Sequence, residues 1–207
     1  MKLYYAADAC SLAPHIVAIE AGIALEIERV DIHAAPHRTE GGQAYAGIAP
    51  KDYVPALRLD DGELLTEGGA ISLYLADRAP DAGLVPAVGT PDWYRLLEWM
   101  SFIGSELHKS FSPWLFHPEV GAAAQDYARD RIAARFVLID TYLRDRAFLL
   151  GDRFTVADAY LFTIADWSRP LRLELSPYPA LAAYLERIRA RDSVREALAR
   201  EQTRLAA

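Results

Sequence analysis

A lone cysteine, Cys10, follows the aromatic run Leu3-Tyr4-Tyr5 and stands just ahead of Ser11-Leu12-Ala13-Pro14-His15-Ile16. This spacing puts its sulfur between a predicted strand and the helix after it. The partial positive charge of a helix N-terminus favours a thiolate there, its own or a bound ligand's. Position +3 is Ala13, so no second thiol is present for a dithiol redox cycle. The alternative reading is an inert, half-buried small residue. Val54-Pro55 opens a later strand. It reads either as an ordinary edge proline or as a cis bond that turns the Val54 N–H and C=O toward a peptide backbone. Thr66-Glu67-Gly68-Gly69 precedes a helix. Its N–H groups suit a carboxylate ligand, and Thr66 or Glu67 equally suits a plain cap.

Farther along, Ser101, Ser105, His108 and Ser112 fall within about 60° of one another on a helix turning about 100° per residue. Trp93, Leu96, Trp99, Met100, Ile103 and Leu107 take the core side. The hydroxyl and imidazole seam is either a cleft wall or a solvated small-residue face. Thr155 and Asp158 have capping-box spacing ahead of an apolar run, which makes Asp158 a structural lock.

The elements that must position these residues come in two textures. Residues 2–6 and 26–32 read as strands around a helix at 12–22, the length of a parallel βαβ unit. A short helix is expected at 40–47. Residues 54–59 and 63–65 flank Asp60-Asp61-Gly62, a hairpin signal, and 68–78 is helical. The order β-α-β-α-β-β-α is that of a thioredoxin-like α/β domain. Residues 80–92 hold three prolines and two glycines, the mark of a linker. Helical periodicity follows at 92–115, 123–146, 155–168, 179–191 and 193–204. The expected division is therefore 1–80 α/β, 81–91 linker and 92–207 all-α.

Composition narrows the function classes. With 52% hydrophobic residues among 207, the chain can bury a core. Its net charge of −7 has no concentrated basic face, which argues against nucleic acid. No run approaches the roughly 20 apolar residues of a membrane span. One cysteine allows no internal disulfide or thiolate zinc cluster, so no metal is expected. A reducing cytoplasm fits best.

Taken in order, MKLYY with ACSLAPHI, VPALRLDDG, LLTEGGAISLYLAD, SELHKSF and GDRFTVADAYLF resemble the cytosolic glutathione transferases, most closely the bacterial beta class. The resemblance covers nearly the whole chain. It implies a thioredoxin-like glutathione-binding domain, an all-α domain that takes a hydrophobic electrophile, and a homodimer. By position, Cys10 faces the glutathione sulfur, with Ser11 beside it. Val54, before a cis Pro55, pairs with the cysteinyl backbone next to Tyr53. Glu67 and Gly68 hold the γ-glutamyl end. His108 lines the cleft as a second catalytic candidate, and Ser105 and Glu106 are contacts, in one arrangement across the dimer. Tyr5 matches the strand position near which other classes carry a catalytic tyrosine, but in the beta class Cys10 takes the site next to sulfur. Asp52 stands where the family carries a glycine. The loop 33–42 lacks the lysine found in relatives, leaving His37 or Arg38 as replacement cations. The implied activity is conjugation of the glutathione thiol to electrophiles in the cleft between the halves. Alternatives are a glutathione-dependent thiol reductase working through a Cys10 mixed disulfide, and a non-catalytic ligand-binding protein on the same fold.

Overall fold

The computed structural model describes residues 1–203. The chain forms two compact units: Met1–Val85 together with the segment from Arg191 on, and Pro86–Ala190.

The first unit is built on β1 (Lys2–Tyr5), α1 (Leu12–Glu20), β2 (Glu26–Asp31), β3 (Arg38–Thr39), β4 (Ala56–Arg58), β5 (Leu64–Thr66) and α2 (Gly68–Asp77). The sheet runs β3-β2-β1-β4-β5. β1 and β2 are parallel, as their helical crossover requires, while β4 and β5 are antiparallel neighbours closed by the Asp-Gly turn. Alternation along β1 explains the apolar run that follows Lys2. Tyr4 joins Ala6, Val30, Tyr45, Ala49, Val54 and Ala56 in one core. Leu3 and Tyr5 face the other way and are fully buried, with the Tyr5 ring 6.3 Å from His15 of α1. A strand covered on both faces reads as a continuous apolar run. The helix expected at 40–47 is instead the two-residue β3 followed by a 3₁₀ turn, Tyr45–Gly47. Gly42, at φ 81°, breaks the helical path.

The last helix, α8, departs from the expected boundary. It spans Asp192–Thr203, where a helix at 193–204 was predicted; Arg204 lies outside the described residues. Although it follows the helical stretch in the chain, it packs on α1 within the α/β unit. Two polar clasps explain this. The Arg191 guanidinium grips both Glu20 carboxylate oxygens at 2.7 and 3.0 Å, and the Ser193 hydroxyl donates to the same group at 2.6 Å. One turn earlier on α1, His15 Nδ1 lies 2.9 Å from Glu201 Oε1, both side chains being almost wholly buried. Groups so buried must be paired.

The second unit comprises α3 (Pro91–Phe102), a π-helical turn (Ile103–His108), α4 (Lys109–Phe111), α5 (Ala122–Leu143), α6 (Val156–Ala165), which ends in a 3₁₀ turn at Asp166–Ser168, and α7 (Pro179–Arg189). The single helix predicted over 92–115 is thus three pieces. Ser112 has left the helix altogether, at φ −109° and ψ 128°, because the residue before Pro113 is driven to extended conformations. The four-residue seam does not survive this change.

Every residue of α6 is buried, and its start is locked as the spacing predicted. Asp158 accepts hydrogen bonds from the N–H groups of Leu149 and Thr155, the Thr155 hydroxyl and the Tyr184 hydroxyl, all at 2.8–2.9 Å. Burial pushes its carboxyl up even against these four bonds.

Two expectations follow. For Glu20, burial pushes the carboxyl up, but the Arg191 and Ser193 hydrogen bonds and the Arg191 charge outweigh it, leaving the group below the ordinary carboxylate value. A carboxyl depressed on folding contributes stability above its unfolded pKa of about 4.3, and that stability is lost as pH falls through the folded value. Melting curves should therefore show a Tm that drops between about pH 5 and 3 less steeply in Glu20→Gln than in the parent. Asp158→Ala strands several buried donors at once and should cost about 3–5 kcal/mol, a Tm fall on the order of 10 °C. A shift of only a degree or two would rule out the lock.

Candidate active site

Cys10 is carried by the turn between β1 and α1, and Ser11 shapes that turn. The wholly buried Ser11 hydroxyl accepts from the Ala6 N–H at 3.2 Å and donates to the Ala6 carbonyl at 3.1 Å. Both of its hydrogen-bonding roles are spent on the loop. Ser11 therefore holds Cys10 in place rather than offering a surface to a ligand.

Cys10 itself is half-buried, and its Sγ lies 3.4 Å from the Val54 carbonyl, close enough for the thiol to donate. The Val54-Pro55 bond is cis. Gly68, the first residue of α2, sits against both of these segments. A Cβ built there would lie 3.5 Å from the Pro55 ring and 3.9 Å from the Cys10 carbonyl. Stretches separated by more than forty residues thus meet at one point, with the N-terminal ends of α1 and α2 converging on it.

Glu67 caps α2 with φ 71°, in the left-handed region. Its Oε1 accepts from Lys51 Nζ at 2.5 Å and from the Tyr53 hydroxyl at 3.3 Å. The hydrogen bond to Glu67 raises the Lys51 ammonium above its usual value. Lys51 was not singled out from the sequence. Its signal was its place in Ala49-Pro50-Lys51-Asp52-Tyr53, three residues ahead of Val54.

Asp52 also has φ in the left-handed region, at 55°. Glycine enters this region at no steric cost, and Asp is among the residues that tolerate it. The added negative charge is met locally: His37 Nδ1 lies 2.9 Å from the Asp52 carbonyl and 3.3 Å from its carboxylate. Arg38 is turned to the Gly42 carbonyl at 3.0 Å. Tyr5 is fully buried beside α1.

In the helical unit, Ser105, Glu106 and His108 all ride on the π turn. The Ser105 hydroxyl donates back to the Ser101 carbonyl at 2.9 Å. Glu106 is gripped by two arginines of α5, Arg131 at 3.0 Å and Arg135 at 2.5 Å. The Arg135 hydrogen bond, aided by both charges, holds the Glu106 carboxyl below the usual range. Neither arginine was anticipated, because α5 is distant in sequence. His108 Nδ1 lies 2.8 Å from the Tyr160 hydroxyl of α6. Its ring meets that of Trp167 edge-on at 5.1 Å, and Trp167 in turn packs against Phe111 and Phe116. Trp114 is partly exposed and donates from Nε1 to the Lys109 carbonyl at 2.9 Å.

The fold and this site define a thioredoxin-like thiol transferase with a helical companion unit, and comparison with known proteins agrees. The family model for the glutathione S-transferase N-terminal domain matches residues 9–78, and that for the C-terminal domain matches residues 97–192. Glutathione S-transferase GstA of Escherichia coli O157:H7 is 41% identical over 201 residues, spanning 97% of this chain and 98% of its own. A sphingomonad glutathione S-transferase solved in complex with glutathione is 42% identical, with a TM-score of 0.92 over 98% of this chain and 99% of that one. A bacterial beta class glutathione S-transferase of Sphingomonas chungbukensis is 43% identical, with a TM-score of 0.92 over 97% and 98%. The chain belongs to the glutathione S-transferase family, is similar in structure to its bacterial beta class, and is a transferase that uses glutathione as co-substrate.

Proposed function

We propose that the chain joins the glutathione sulfur to hydrophobic electrophiles, with Cys10 and the start of α1 stabilising the thiolate. The observation that carries this reading is the meeting of Cys10 Sγ with the Val54 carbonyl at 3.4 Å, beside Gly68. A cysteinyl peptide laid along Val54 would bring its own sulfur to Cys10. Its backbone would take over the Val54 carbonyl, and Tyr53 and Pro55 would flank it. The γ-glutamyl end would reach Gly68 and Glu67, whose carboxylate, already gripping one ammonium from Lys51, is suited to a second.

The thiol proton leaves to solvent, the sulfur attacks an electrophilic carbon, a C–S bond forms and the leaving group departs as an anion. Holding the two reactants together contributes as much as the thiolate does. The aromatic group of Phe111, Phe116 and Trp167, with His108 at its edge, supplies an apolar surface for the electrophile. His108 is the second candidate in the chemistry, while Ser105 and Glu106 shape its carrier turn. A thiol that must stay reduced to work suits the cytoplasm.

The working form in this reading is a homodimer. The helical unit leaves Tyr94, Tyr127, Val137 and Leu138 exposed. Leu138 lines a groove of about 250 Å³ with Trp99, Phe102, Tyr142, Arg95 and Glu98. Exposed apolar side chains at a groove suit a protein contact.

Two measurements test these statements. Cys10→Ala should still conjugate an aryl halide at a rate within about tenfold of the parent, because helix N-terminal N–H groups also stabilise the thiolate. It should lose the glutathione adduct that the parent forms with oxidised glutathione, read by intact mass. A parent protein that neither binds glutathione nor accelerates conjugation would refute the reading, and adduct turnover without conjugation would favour a thiol reductase. Light scattering should give twice the chain mass, and Leu138→Glu should halve it. A parent that runs as a monomer would exclude the dimer.

A further inference from the structure

The imidazole of His108 is held by a residue that belongs to neither glutathione nor electrophile. Histidine χ2 is broad and roughly two-fold, so a ring at a site needs a partner to fix its plane and its tautomer. Here Nδ1 meets the Tyr160 hydroxyl at 2.8 Å, with the two rings edge to face at 86°. Trp167 closes on the imidazole at 5.1 Å and 68°. Both partners come from α6 and its 3₁₀ extension, the most completely buried stretch of the helical unit.

The carrier of His108 is the π turn Ile103–His108. A π turn takes more residues per turn than an α-helix, so the side chains along it, His108 included, fall at angles different from those of an unbroken α-helix. Gly104, on the same turn, lies against Tyr160: a Cβ there would stand in ordinary contact with the phenol oxygen at 3.5 Å. The π turn and the buried Tyr160 meet in one hydrogen bond.

We propose that Tyr160 is a positioning residue for the transfer reaction: its phenol O–H, a stronger donor than a neutral imidazole N–H, donates to Nδ1, which takes that nitrogen out of ligand chemistry, leaves the ring proton on Nε2 and holds the His108 ring in one plane. The proposal rests on the reading that His108 takes part in the reaction. A purely structural role, in which a buried phenol merely needs a partner, would leave the chemistry untouched.

A double-mutant cycle separates these cases. Tyr160→Phe keeps the ring and removes only the hydroxyl. It should lower kcat/KM for aryl halide conjugation about three- to tenfold, leave KM for glutathione unchanged and move the pH profile. In a His108→Ala background the same change should have no further effect. Tyr160→Phe at the parent rate, or an equal loss in both backgrounds, would overturn the proposal while leaving the role of His108 standing. His108→Ala at the parent rate would overturn both. A readout that needs no variant is the ¹⁵N spectrum of the His108 ring in the parent protein. A single tautomer is expected, and a rapidly exchanging mixture would refute the fixing role.

Discussion

The α/β unit depends on one close approach, in which the first residue of α2 sits against the Pro55 ring and the Cys10 carbonyl. A Cβ at Gly68 would stand in ordinary contact with the Pro55 ring at 3.5 Å and with the Cys10 carbonyl at 3.9 Å, so α2 starts directly against both segments. The start of α2 then faces the start of α1, and the positive ends of two helix dipoles point to the same place. Glu67 carries the cost of this geometry in a left-handed backbone. Its side chain, bridged by Lys51 and Tyr53, ties the loop before Val54 to α2. Chemistry near Cys10 therefore inherits its geometry from contacts that involve no ligand.

The same economy appears behind α1. The helix that carries Cys10 at its start is clasped from the other side by α8 through Glu20 with Arg191, and through His15 with Glu201. Both clasps are substantially buried polar pairs. Neither half can be removed without leaving its partner uncompensated, which makes the orientation of α8 specific as well as favourable. In the helical unit Asp158 plays the comparable part. It satisfies buried donors of Leu149 and Thr155 at and against the start of α6, and α6 in turn carries Tyr160, which meets His108 on the π turn.

Residues near in the chain were legible without coordinates. Cys10 between a strand and a helix, the Asp-Gly hairpin, the capping box at Thr155 and Asp158, and the alternating units before residue 80 are all local statements. Each depends on a propensity or spacing that acts over a few residues. The misreadings were also local in cause. The stretch at 40–47 was read as one short helix between two strands, and with Gly42 at a positive φ only a 3₁₀ turn at Tyr45–Gly47 forms. The run at 92–115 kept helical periodicity throughout. A π turn differs from an α turn by one residue of winding, and periodicity summed over a long window does not register that change.

What the sequence determined by itself was the kind of protein: its two textures, its family resemblance and the set of polar residues available for thiol chemistry. Tertiary structure decided which of them work together. It turned Ser11 from a possible contact into the brace of a loop, gave Asp52 a partner in His37, brought Lys51 to Glu67 and assigned the final helix to α1. It also gave His108 its partner Tyr160. The physical reason is range. Propensity, capping and alternation act between neighbours in the chain, whereas a buried charge or an unsatisfied hydroxyl is matched by whatever group packing brings within about 3 Å.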